Sequence, residues 1–126
     1  MSAKLKLNQV TFSCSSELGV FQSSVEVSRN GSNLKTAGLG DSSILAVQES
    51  ILKAINDLGI FPEEVNLTGC RIIYEGTLSC ASVELEMGDK ESHDTKENFD
   101  PILAFAKALI DAINDLLIFH KHTSTI

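Results

Sequence analysis

The sequence predicts an α+β fold built from two β-β-β-α repeats, with the helices packed on antiparallel sheet and the chain assembled as a dimer. Three observations lead there. The pentapeptide Ala54-Ile55-Asn56-Asp57-Leu58 returns as Ala112-Ile113-Asn114-Asp115-Leu116, an offset of 58 residues. At that same offset Ile44-Leu45-Ala46 meets Ile102-Leu103-Ala104, and Ser24-Val25-Glu26-Val27 meets Ser82-Val83-Glu84-Leu85. Matches in one constant register mark a duplication, whereas two merely similar helices would share one match at most. The remaining observations are the two periodicities, near two and near 3.6, that alternate along each copy.

In the first copy, Leu5, Leu7, Val10, Phe12 and Cys14 mark a first strand. A second runs from Val20 to Val27, with Phe21, Ser23, Val25 and Val27 on one face and Gln22, Ser24 and Glu26 on the other. Asn30-Gly31 is a strong hairpin signal because both residues tolerate positive φ. A short third strand, about Asn33 to Ala37, returns from it. Gly38-Leu39-Gly40-Asp41-Ser42-Ser43 then reads as a break. Ile44, Val47, Ile51, Ala54, Ile55 and Leu58 recur at helical spacing. Gly59 to Glu64 links this repeat, about residues 4–58, to the second, about 66–118.

The second copy has strands at Cys70–Tyr74 and Leu78–Glu86, with turns at Glu75-Gly76-Thr77 and Met87-Gly88-Asp89-Lys90. Asp100-Pro101 is a helix start, with Asp as N-cap and Pro in the first helical position. The helix runs to about Ile118, followed by a polar tail over 119–126. Its apolar residues, among them Phe105, Leu109, Ile113, Leu116 and Leu117, exceed what one sheet face needs. Either the two helices pack together or a partner subunit covers a flank.

The totals narrow the function. A length of 126 residues suits one domain with its own core. A formal charge of −7 and no basic run, Lys4 and Lys6 being the nearest approach to one, argue against nucleic acid. No apolar run approaches the roughly 18 residues of a membrane span, and Met1 to Lys6 contains no signal-peptide core. Cys14, Cys70 and Cys80, odd in number and without CxxC spacing, are expected to be reduced and buried in a cytoplasmic protein. His120 and His122 fall in the tail and His93 in a solvated loop. Glu17, Glu26, Glu49 and Glu84 are expected at exposed positions. No metal-ligand spacing and no nucleophile–base order emerges, so neither a cofactor nor catalysis is expected.

The stretch 38–43 is the most informative local feature. Its glycines allow close approach of a ligand, and the helix that follows offers unpaired amides to an anion. Ser42 or Ser43 could instead cap that helix. The second copy has Lys96-Glu97-Asn98-Phe99-Asp100-Pro101 at this place, so a single site per chain would be in the first copy.

The duplicated β-β-β-α unit with Gly40-Asp41-Ser42-Ser43-Ile44-Leu45-Ala46 at its turn resembles the C-terminal regulatory (dimerisation) domain of the 2-isopropylmalate synthase and citramalate synthase family. There the turn commonly reads Gly-Asp-Gly-Pro-Val-Asp-Ala; here Ser42 and Ser43 replace its second Gly and its Pro. The resemblance spans nearly the whole chain. It implies a homodimer that binds leucine or isoleucine for feedback control of branched-chain amino acid synthesis. By position, Gly38, Gly40, Asp41, Ser42, Ser43 and Ile44 would surround the effector's polar end. Leu67, Cys70 and Tyr74, with Cys80 on the next strand, would line its side-chain pocket. The family's condensing barrel, about 250 residues, has no room in this chain, so any catalytic barrel would be a separate domain or subunit.

Overall fold

A computed structural model describes residues 4–15 and 19–124, with 15 and 119–124 as backbone alone. The order is β1 (Lys6–Ser15), β2 (Val20–Arg29), β3 (Ser32–Gly40), α1 (Ser43–Asp57), β4 (Asn66–Glu75), β5 (Leu78–Met87), β6 (Lys90–Asn98) and α2 (Pro101–Ser124). Each copy is a three-stranded antiparallel meander, β1-β2-β3 or β4-β5-β6, followed by a helix. The duplication extends to irregularities: β1 shifts register between Leu7 and Gln9, and β4 between Leu67 and Gly69. The first strands are therefore offset by 60 residues and everything after them by 58. The turn after β4 is two residues shorter than its counterpart after β1, which accounts for the difference.

Local chemistry sets the joints. Asn30 and Gly31 both take positive φ, 56° and 80°, as the Asn-Gly signal requires. At the end of α1, Gly59 adopts φ 62°. The Gly59 amide donates to the Asn56 carbonyl and the Ile60 amide to the Ile55 carbonyl, a Schellman closure that turns the chain toward β4. Ahead of α2, Asp100 Oδ1 accepts from the Ile102 amide at 2.9 Å and the Leu103 amide at 3.4 Å, with Pro101 next to the cap.

Several expected boundaries move. Gly38, Leu39 and Gly40 belong to β3 rather than to a break. His93 lies in β6, exposed and paired with Glu84, rather than in a loop, because the third strand of the second copy runs through Asn98. The α2 backbone continues to Ser124, well into the stretch read as a tail. The side chains of His120 and His122, and Glu17, lie outside the described residues. Glu49 and Glu84 are exposed and Glu26 half-buried.

α1 lies on β3 and β2. α2 lies on β6 and β5, touches α1, and reaches across to β1 of the first sheet. That explains its apolar surplus: Ala104, Phe105, Ala106, Ala108, Leu109, Ile110, Ala112, Ile113, Leu116 and Leu117 are all buried within the single chain. Of the two ways to cover α2, the structure uses packing inside the chain. A side-chain amide fixes the junction. Asn114 Oδ1 accepts from the Leu5 amide at 2.8 Å, and Asn114 Nδ2 donates to the Leu5 carbonyl at 3.0 Å. Neither helix packs along β4 in this way.

Candidate functional site

The turn that carries the resemblance is occupied by the protein itself. Neither Gly38 nor Gly40 takes positive φ. A Cβ on Gly38 would stand 2.4 Å from the Ala46 carbonyl oxygen and one on Gly40 would stand 2.7 Å from the Ala46 amide nitrogen. Both glycines are there so that α1 can sit directly on β3, not to admit a ligand. Hydroxyls complete this seam. Ser23 Oγ donates to the Ala46 carbonyl at 2.7 Å and meets Ser50 Oγ, while Thr36 Oγ1 donates to the Ser50 carbonyl at 2.7 Å. Ser42 takes the simpler of its two roles: its Oγ accepts from the Leu45 amide at 3.2 Å, as the N-cap of α1. Two amides of the first turn, those of Ser43 and Ile44, are left over by the cap.

Beside the seam lies an open groove of about 660 Å³ along the outer flank of α1, bordered by Leu39, Gly40, Asp41, Leu45, Glu49 and Lys53. Of the residues expected at an effector's polar end, only Gly40 and Asp41 line it. The expected side-chain pocket is elsewhere. Leu67, Cys70 and Tyr74 pair with Leu85, Val83 and Ser79, the buried residues of β5, so they lie on the helix side of the second sheet. Cys80 pairs with Ile73 and looks to the opposite side. The four do not form one wall, and none lines the α1 groove.

Neither helix covers β4. Tyr74 is 69% exposed and Ile73 40%. Cys70 is exposed as well, as is Cys14, and Cys80 is half-buried. The cysteines are free but not the buried core residues expected, because Cys14 and Cys70 sit at exposed positions of the edge strands β1 and β4. Partial desolvation still pushes the Cys70 thiol above its ordinary range.

A second groove, about 720 Å³, opens where the repeats meet. Lys4, Lys6, Lys96 and Lys107 converge on it over a floor that includes Leu5 and Ile110. Only Lys4 and Lys6 are neighbours in the chain; the cluster forms because Lys96 on β6 and Lys107 on α2 fold against them. Lys96 Nζ is 2.9 Å from Asp111 Oδ2, and this contact raises the lysine's pKa. Close by, Asp94 on β6 has a carboxyl pKa raised to about 7, first by desolvation and then by hydrogen bonding and repulsion from Asp115, with Asp111 adding to it and Lys96 opposing. Its Oδ2 is buried without a donor. Two carboxylates can share a hydrogen bond only when one holds a proton, and that is what the raised pKa expresses.

Compared with known proteins, the chain matches no family model and no curated sequence. Among the described residues no helix is long and apolar enough to cross a membrane.

Proposed function

We propose that this chain is a regulatory module that dimerises and binds a small amino-acid effector at the dimer interface, leucine or isoleucine being the candidates that its resemblance suggests. One observation carries the reading: the residues expected around the effector fall into two surface sets that a single chain keeps apart. Gly40 and Asp41 border the groove on α1, while Leu67, Cys70 and Tyr74 lie on the helix-side face of the second sheet, on β4, which neither helix covers. Both sets expose apolar surface: Leu39 and Leu45 stand beside the first, and Tyr74 of the second is 69% exposed. Apolar surface of that kind marks a place where another molecule sits. A second subunit unites the sets, and an effector held between them favours one dimer arrangement through its differential affinity. The controlled enzyme would be a separate catalytic barrel domain or subunit.

A ligand-free assembly module is the second reading. It is favoured by the closure of the glycine turn: α1 sits on both glycines and Ser42 is committed to its cap.

Calorimetry of the purified protein with leucine, isoleucine and valine separates the two. Saturable heat from at least one, lost in Asp41→Ala, is the expected result. A dimer that gives no heat and no thermal shift with any of them leaves the assembly reading, and a monomer at every concentration defeats both.

A further inference from the structure

The two grooves are one groove of the repeated unit, walled on both sides (closed) in the second copy and on one side only (open) in the first. At the 58-residue offset, Lys107, Ile110, Asp111 and Asn114 of the closed groove become Glu49, Leu52, Lys53 and Asn56 of the open one. What differs is the opposite wall. In the closed groove it is the segment Lys4–Leu7, at the head of β1. Its counterpart at the 60-residue offset is Glu64–Leu67, at the head of β4, which lines no part of the open groove.

Resting on the dimeric reading above, we infer that the missing wall is the head of β4 from a second copy of this chain, docked on α1 as β1 docks on α2. Each chain then lends β4 to its partner and receives the partner's in return. The two identical contacts are related by a twofold axis, which closes the assembly at two chains.

Three features of the open half fit that occupant. Asn114 clamps the amide and carbonyl of Leu5, whereas its repeat counterpart Asn56 is exposed and its side-chain amide makes no hydrogen bond among the described residues. Asn56 is thus free to clamp the backbone of Val65 in a partner, the Val65 side chain staying in its own chain's core. Charge also matches. The closed groove holds Lys4 on the strand side and Asp111 on the helix, while the open one would hold Glu64 on the strand side and Lys53 on the helix. Asp111 is paired with Lys96, whereas Lys53 has Gly38 at that place, so Glu64 of a partner would supply its counter-charge. Finally, Ile110 is only 4% exposed where the groove is closed, while its counterpart Leu52 is left half-buried. The docking brings Leu67 of the partner subunit toward Gly40 and Asp41, uniting the two effector sets.

Sedimentation equilibrium on E64K, K53E and the double variant tests this surface. Each single reversal turns two ion pairs per dimer repulsive and is expected to weaken the dimer about tenfold, with the double variant restoring it. Asn56→Asp, which cannot donate to a carbonyl, is expected to weaken it further. Zero-length cross-linking of mixed isotope-labelled and unlabelled wild-type chains should join Lys53 of one chain to Glu64 of another, a readout independent of any variant's folding. A wild-type dimer indifferent to both reversals and lacking that cross-link overturns this surface and leaves the dimeric reading standing. A wild-type monomer overturns both.

Discussion

The two repeats reach one fold through different sheet–helix seams. In the first, Gly38 lets α1 close onto β3, and Ser23, Thr36 and Ser50 satisfy one another and the helix backbone across the contact. In the second, the same positions hold Lys96, Ala81, Asp94 and Ala108. Lys96 lies along α2 to Asp111, Asp94 faces Asp115 with its carboxyl pushed up to about 7, and Ser92 Oγ donates to the Ala112 carbonyl at 2.8 Å. A buried polar group is tolerated wherever it finds a partner, and the duplication shows two independent solutions. The first seam holds no ionisable group and should be indifferent to pH; the second depends on the protonation of Asp94.

The comparison can be broken at the core. Phe105 is fully buried in α2 at the position Val47 occupies in α1. Because α2 serves both sheets, Phe105→Ala should cost about 3–5 kcal/mol and lower the urea midpoint of the whole chain in a single transition. If only half of the signal moved, the repeats would be folding separately.

Gly38→Ala attacks the first seam. The added methyl meets backbone that cannot swing aside, so a loss of about 3 kcal/mol is expected, the upper end for overpacking. The counterpart Lys96→Ala removes one exposed ion pair and should change stability far less. Near-equal effects would mean that α1 does not sit on Gly38 as described.

The two asparagines sharpen the comparison further. Asn114→Ala leaves the Leu5 amide and carbonyl without their clamp and should cost about 1–3 kcal/mol. Asn56→Ala, on an exposed residue, should leave the melting of the isolated subunit nearly unchanged while weakening self-association.

The smallest effect is in pH. The Asp94 carboxyl is raised in the folded chain, so the folded state holds a proton that the unfolded state releases near pH 4. Its stabilising contribution is complete below the ordinary carboxylate pKa and is lost as pH rises through about 7. Stability should therefore decline from pH 4 toward pH 8, and Asp94→Asn, which donates to Asp115 at any pH, should flatten the profile.

Most of the fold was legible because it is written in short-range patterns. Alternation along β2, Asn30-Gly31 and Asp100-Pro101 each fix an element through their neighbours alone. The duplicated pentapeptide then extended the reading of one copy to the other. The site was less legible, for reasons that are tertiary. Glycine signals freedom in a sequence, but Gly38 and Gly40 serve close packing, and only the position of α1 distinguishes these uses. Lys4 and Lys107 are far apart in the chain and share a groove because α2 crosses to β1. Nor could composition say that the apolar surplus of α2 is spent inside the chain, leaving β4 as the surface that needs cover.

A second copy that completes the open half of the duplication must shield it from solvent. Amide hydrogen exchange across a concentration series tests it most directly. The account predicts that amides at the head of β4 and along the outer flank of α1 gain protection together as the concentration rises, while β1, already held by Asn114, does not change. Protection patterns that stay identical from the lowest to the highest concentration would contradict it.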